Sequence, residues 1–193
     1  MTTIFLARHG ESDWNVEQRF QGHTDRPLTN RGREQAHAQA DLVAGQEIDA
    51  IYTSPLTRAR ETAEIIAARA GLEPVALPEL REVDTGSWSG LSRADVEARF
   101  PAGFARWRSG GSGWEDGESY EEMAERVIGA LRTIAEEHPG GRVLLISHGG
   151  PIRAIHAAAD GLDINEYRRL RPVEPNARLS SVAVENGRLT RLD

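Results

Sequence analysis

Apolar residues gather along the chain in two patterns. Short unbroken runs in TIFLAR (3–8), AIYTS (50–54), PVALP (74–78) and RVLLIS (142–147) have the length and bulk of buried strands. Between them, apolar positions recur at helical spacing and predict helices over 30–45, 56–71 (closed by Gly71), 150–160 and 163–170. The stretch 92–108 predicts one or two short helices broken at Pro101. Ser119 and Glu122 match a capping box that opens a helix running to about His138, where Pro139-Gly140-Gly141 stops it. Residues 179–192 read as two strands joined at Asn186-Gly187, a strong hairpin signal. Strands alternating with helices predict an α/β fold, a three-layer α/β/α sandwich around a mostly parallel sheet. No linker, repeat or low-complexity tract interrupts the pattern, so one domain over residues 1–193 is expected.

Two of these apolar runs end in polar chemistry. IFLA runs into Arg8-His9-Gly10, and VLLIS runs into His148-Gly149-Gly150. A third, AIYTS, leads into a helix whose first turn carries Arg58. In open α/β sheets ligands bind beyond the carboxyl ends of the strands, so two imidazoles and two guanidiniums are expected to meet at one sheet edge. A helix starting near Gly149 would aim free backbone N–H groups at the same place. The simpler reading of His37, His138 and His156 is surface or satisfied core, and His23 reads as a turn residue near the pocket.

Composition narrows the chemistry. The net charge of −7 argues against a nucleic-acid partner, so an anionic ligand needs a local positive cluster. All 23 basic residues are arginine, which excludes Schiff-base, P-loop lysine and Ser-Lys chemistry and suits bidentate anion binding. There is no cysteine, hence no disulfide or thiolate site, and the arginines beside His9 disfavour a bound metal cation. GSWSG (86–90) centres on Trp88, so no nucleophilic serine elbow is present. No apolar run is long enough to span a membrane, and TIFLA lacks the basic flank of a secretory leader; a cytoplasmic location is expected.

With these residues in view, the chain resembles the histidine phosphatase superfamily and its phosphoglycerate mutase-like fold. Five blocks carry the likeness in the family's order: residues 7–15, 19–36, 52–63, 80–90 and 143–150. The resemblance implies that His9 is a nucleophile that becomes a phosphohistidine, with Arg8, Arg58 and His148 around the phosphoryl oxygens. It implies Glu82 as the proton donor and acceptor, with Asp84 and Glu79 as rival carboxylates. Asn15, Gln21, Gly22 and Gly149 match positions that line the phosphate or substrate pocket. Neither a metal nor an organic cofactor is implied.

Mutases of this family look longer, with an insertion carrying paired arginines and a lysine. Here Arg93 stands at the lysine position, and Arg106 and Arg108 are separated. The phosphatase branch, a histidine acid-type phosphatase releasing phosphate from a small phosphorylated metabolite, is therefore expected. The alternatives are a phosphoglycerate mutase-type phosphotransferase and a non-catalytic phosphate-binding regulator. Trp14, Trp88, Trp107 and Trp114 suit core packing or aromatic pocket walls. The glycine-rich loop 109–117 and the helices around Pro101 are expected to form a lid over the leaving group. Either a monomer or a homodimer fits, with no membrane partner.

Overall fold

In the computed structural model, which describes residues 1–192, six strands hydrogen-bond into one sheet in the order β3-β2-β4-β1-β5-β6. They are β1 (Thr2–Arg8), β2 (Ala50–Thr53), β3 (Pro74–Ala76), β4 (Arg142–Ser147), β5 (Leu179–Glu185) and β6 (Arg188–Arg191). The first four run parallel, and β5 and β6 close one edge as an antiparallel hairpin. Asn186 and Gly187 turn that hairpin with φ of 51° and 75°, the left-handed pair that the Asn-Gly sequence favours. PVALP is strand only to Ala76; Pro78, which cannot donate to a ladder, starts a 3-10 turn over Pro78–Leu80.

Among the described residues eight α-helices accompany the sheet: α1 (Asp13–Val16), α2 (Asn30–Val43), α3 (Thr57–Ala70), α4 (Arg93–Arg99), α5 (Pro101–Arg108), α6 (Tyr120–Glu137), α7 (Gly149–Asp160) and α8 (Ile164–Leu170). Strand alternation sorts them into layers. Phe5, Ala7, Leu144 and Ile146 face Ala40, Val43, Ala63 and Ile66 of α2 and α3. Ile4, Leu6, Val143 and Leu145 face the opposite core, with Met123, Val127 and Leu131 of α6 and Ile152 and Ile155 of α7. This is the expected three-layer sandwich. The one-turn α1 has too little periodicity to be read from sequence; the backbone of its N-cap Ser12 is held by Asn15 Oδ1 at 3.0 Å.

Register brings the two polar strand ends together. Arg8 lies opposite Ser147 in the parallel β1–β4 pair, and the His9 N–H donates to the Ser147 carbonyl at 3.0 Å. The next residues, His9 and His148, are therefore lateral neighbours. From β1 the chain crosses towards β2, whereas from β4 it crosses towards β5, so a crevice opens between these two strand ends.

Behind the crevice, Trp88 is fully buried, with the rings of Phe20 and Trp114 against it edge-on at 5.2 and 5.4 Å. Trp88→Ala should cost about 3–5 kcal/mol in urea denaturation, because the surrounding rings cannot fill the space. A loss below about 1 kcal/mol would mean that this region collapses freely.

Candidate functional site

A cavity of about 600 Å³ opens at the carboxyl ends of β1 and β4. Arg8, His9, Asn15, Gln21, Gly22, Arg58 and Glu82 all line it, although they come from four separated stretches of chain. His148 is fully buried and lies beside His9, with ring centroids 5.1 Å apart, rather than on the cavity wall. Gly149 sits close beneath the wall: a Cβ there would come within 2.5 Å of Val173 and 3.7 Å of the Arg8 guanidinium carbon.

His9 is 2% exposed, and its Nδ1 stands 2.6 Å from the Gly10 carbonyl. A carbonyl only accepts, so Nδ1 carries the proton and Nε2 keeps its lone pair. Burial, then the charges of Arg58 and Arg8, hold His9 well below the usual imidazole range. His148 is lowered in the same direction by burial, Arg58 and His9. Its Nε2 meets Ser54 Oγ at 2.7 Å, while Nδ1 has no partner. Gly10 permits this arrangement, because a Cβ there would sit 2.3 Å from the Gly32 carbonyl oxygen at the start of α2.

Both imidazoles are thus neutral at pH 7 in the fold, while in the unfolded chain they titrate near the ordinary value of about 6.5. Below that pH the unfolded state binds more protons, so stability is fully present above about pH 6.5 and lost as pH falls. The slope is at most about 1.4 kcal/mol per pH unit for each imidazole. Urea midpoints at pH 7.5 and 5.5 should differ in this sense, and His148→Gln should shrink the difference. An unchanged difference in that variant would contradict the assignment.

Arg58 is 1% exposed and donates to the carbonyls of Thr24 (2.9 Å) and Gly22 (3.0 Å). Burial lowers it to about 10, which still leaves a full cation at neutral pH. Arg8 donates to the Glu174 carbonyl. The Nε of both arginines is buried without a partner. Ser12 links two lining residues, its N–H held by Asn15 Oδ1 at 3.0 Å and its hydroxyl donating to Gln21 Oε1 at 2.9 Å.

Among the three carboxylates considered, only Glu82 reaches the cavity. Its Oε1 accepts the N–H of Val83 at 3.0 Å and of Gly150, at the start of α7, at 3.1 Å. Gly150 makes that approach possible, since a Cβ there would stand 2.3 Å from the same oxygen. Asp84 instead accepts from the Gly86 N–H at 3.0 Å. His23 lies one layer out, its Nε2–H donating to the Glu82 carbonyl at 2.8 Å. The remaining histidines do not line the cavity: His37 is exposed, His138 meets the Tyr52 hydroxyl at 3.0 Å, and His156 meets Ser180 at 3.0 Å.

The lid expectation fails for loop 109–117. No residue of it lines the cavity. It packs on the 86–88 turn instead: Asp116 accepts the Ser87 N–H at 3.0 Å, and a Cβ on Gly113 would lie 2.1 Å from Trp88. The rim is carried by Trp107 and Arg108 at the end of α5. Of the four tryptophans only Trp107 lines this cavity; Trp88 and Trp114 are core.

Several functional neighbours escaped sequence reasoning. Arg126 donates to the carbonyls of Arg81 and Glu82, both at 2.9 Å, while paired with Glu118 at 2.7 Å, and so fixes the segment carrying Glu82. Asn176 donates to the His9 carbonyl at 3.0 Å from a segment without regular structure. Arg153, Arg168, Tyr120 and Val173 also line the cavity. Only Arg153 carried a usable signal, as a lone charge in the otherwise apolar run PIRAI.

Two neutral buried imidazoles, two guanidiniums and one carboxylate thus meet at this switch point of an α/β scaffold, a set whose charge suits an anionic ligand. Consistent with it, the model of the histidine phosphatase superfamily (branch 1) matches residues 4–192, and the chain belongs to that superfamily. It is similar to phosphoserine phosphatase 1 of Hydrogenobacter thermophilus, 35% identical over 169 residues, 86% of this chain and 80% of the relative. It is also similar to a probable phosphoglycerate mutase (GpmB) of Cronobacter sakazakii, 38% identical over 174 residues, 89% and 80% of the two chains. The structure of Bacillus stearothermophilus YhfR superposes with a TM-score of 0.93 at 30% identity, covering 100% of this chain and 96% of that one. Phosphatases and mutase-like proteins both stand among the relatives, and this is a phosphatase-type enzyme of the superfamily. Among the described residues no helix is long and apolar enough to cross a membrane.

Proposed function

We propose that the protein hydrolyses small phosphomonoesters through a phosphohistidine on His9. The observation that carries this reading is the 2.6 Å approach of His9 Nδ1 to the Gly10 carbonyl, which requires the proton on Nδ1 and so leaves Nε2 with its lone pair, in a cavity that Arg8 and Arg58 also line. Nε2 attacks phosphorus, and the bond to the leaving oxygen breaks. Arg8 and Arg58 neutralise the equatorial oxygens, which is most of what phosphoryl transfer asks of a protein. If the Ser54 hydroxyl donates to His148 Nε2, the His148 proton resides on Nδ1, the ring nitrogen free to donate to the same group.

Glu82, in its protonated form, gives its proton to the leaving oxygen and becomes a carboxylate. A water then attacks the phosphohistidine, Glu82 recovers a proton from it, and phosphate leaves with His9 regenerated. Oε1 accepts from two N–H groups at 3.0 and 3.1 Å, whereas Oε2 has only the longer 3.4 Å approach of the Gly150 N–H, so Oε2 is the oxygen better placed to carry that proton. Asn15, Gln21 and Gly22 line the same cavity, which supports their reading as phosphate- or substrate-binding positions.

Rapid alkaline quench with a 32P-labelled ester should leave a label on the protein that is stable in base and lost on later acid treatment. Label that survives acid and is lost in base would mean an acyl or ester phosphate and would overturn the reading. The mutase alternative has a separate signature. With 3-phosphoglycerate, inorganic phosphate should appear stoichiometrically; isomerisation without phosphate release would replace hydrolase by mutase.

A further inference from the structure

Among the described residues seven arginines line the cavity against a single carboxylate, in a chain whose net charge is −7. Arg8 and Arg58 already match the charge of one phosphoryl dianion. Arg153 of α7 and Arg168 of α8 line the same cavity with Tyr120 and Val173, and come from helices rather than from the strand ends that carry Arg8 and His9. One terminal nitrogen of Arg153 donates to the carbonyls of Arg168 (3.1 Å) and Arg171. One terminal nitrogen of Arg168 donates to the carbonyls of Gly110 and Gly111 (3.3 Å), and its guanidinium carbon lies 3.3 Å from the Tyr120 ring centroid. Both Nε–H groups are buried without a partner.

Among the described residues neither arginine has a carboxylate within ion-pair distance. Two partly desolvated like charges held side by side cost stability unless an anion joins them. Backbone carbonyls and a ring face hold them in place without neutralising them, which is the form of a preorganised anion site. Tying α7 to α8 and to the 110–111 turn needs only one nitrogen of each side chain.

We propose that Arg153 and Arg168 form a second anion site in the active cavity, and that the substrate is a small phosphomonoester bearing a further anionic group on its leaving portion. That group is a carboxylate or a second phosphate, since both accept the guanidinium fork. The inference rests on the phosphatase reading for the word substrate, but the site itself is testable by binding alone.

Calorimetry on the His9→Ala protein separates the two. 3-Phosphoglycerate is compared with glycerol 3-phosphate, which carries CH2OH in place of the carboxylate; fructose 1,6-bisphosphate is compared with fructose 6-phosphate. The doubly anionic member of at least one pair should bind tenfold tighter or more, and which pair responds distinguishes carboxylate from phosphate. That ratio should fall to about threefold or less when Arg168→Gln is added, and likewise with Arg153→Gln. Arg106→Gln, which removes a charge outside the cavity, should leave the ratio intact. Should Arg153→Gln fail to fold for want of its helix tie, the Arg168→Gln comparison stands alone. Equal affinity within both pairs, or a ratio that survives Arg168→Gln, would overturn the site. A protein that hydrolyses p-nitrophenyl phosphate but shows no such ratio loses the anion site and keeps the phosphatase reading. One that shows the ratio yet turns over no monoester keeps the site and loses the reading.

Discussion

His9→Ala lowers kcat/KM for phosphomonoester hydrolysis by at least about 10⁴-fold, close to 5.4 kcal/mol of transition-state stabilisation at 1.36 kcal/mol per decade. The loss should be this large because, among the described residues that line the cavity, no other offers a neutral imidazole lone pair. His148 is fully buried beside His9, with one ring nitrogen against Ser54, and Glu82 accepts two N–H groups. The variant should fold. It removes a neutral ring that the protein holds buried against the pull of water and near two cations, and it leaves the β1–β4 ladder intact. Steady-state assays with p-nitrophenyl phosphate, alongside urea denaturation, make the measurement. Activity within tenfold of wild type in a folded variant would remove His9 as nucleophile.

Glu82→Gln divides the reaction at its two proton transfers. With an alkyl phosphate the leaving alkoxide needs a proton, so phosphoenzyme formation should slow by about 10²–10⁴ and no burst should appear. With p-nitrophenyl phosphate the leaving group departs unassisted, while the water that clears the phosphohistidine still needs a base. Stopped-flow should then show a burst of about one nitrophenolate per enzyme followed by slow turnover. Asp84→Asn should change neither phase by more than about threefold, because Asp84 holds the Gly86 N–H and stands off the cavity. The reverse pattern would make Asp84 the proton donor.

Much of the scaffold could be read from short stretches of chain. The apolar runs of β1 and β4 and the capping box at Ser119 are local devices, completed within a few residues. So is the Asn186-Gly187 turn. Their physical cause is backbone preference and side-chain period, which neighbouring letters carry. The histidine pair was legible for a related reason: two strand–His–Gly units in parallel strands end side by side when the register matches, and it does.

What lay between 79 and 117 was less open to that reading. Glu79, Glu82 and Asp84 stand within six positions and share one composition of surroundings; only Glu82 is placed beside the Gly150 N–H, by a contact across 68 residues. Loop 109–117 carries the glycines of a mobile segment, yet Gly113 is glycine so that it can close on Trp88. Its composition reflects tight packing, which no local pattern distinguishes from freedom.

The amino-acid order alone determined that a cationic, imidazole-bearing edge would exist at the strand ends, because strand, cap and turn signals are short-ranged. Which carboxylate joins that edge, what walls it and how far its positive charge extends were decided only by tertiary packing. Arg126, Arg153, Arg168 and Asn176 reach the cavity or its supports from segments far apart in sequence, and proximity across such distances is a property of the assembled core.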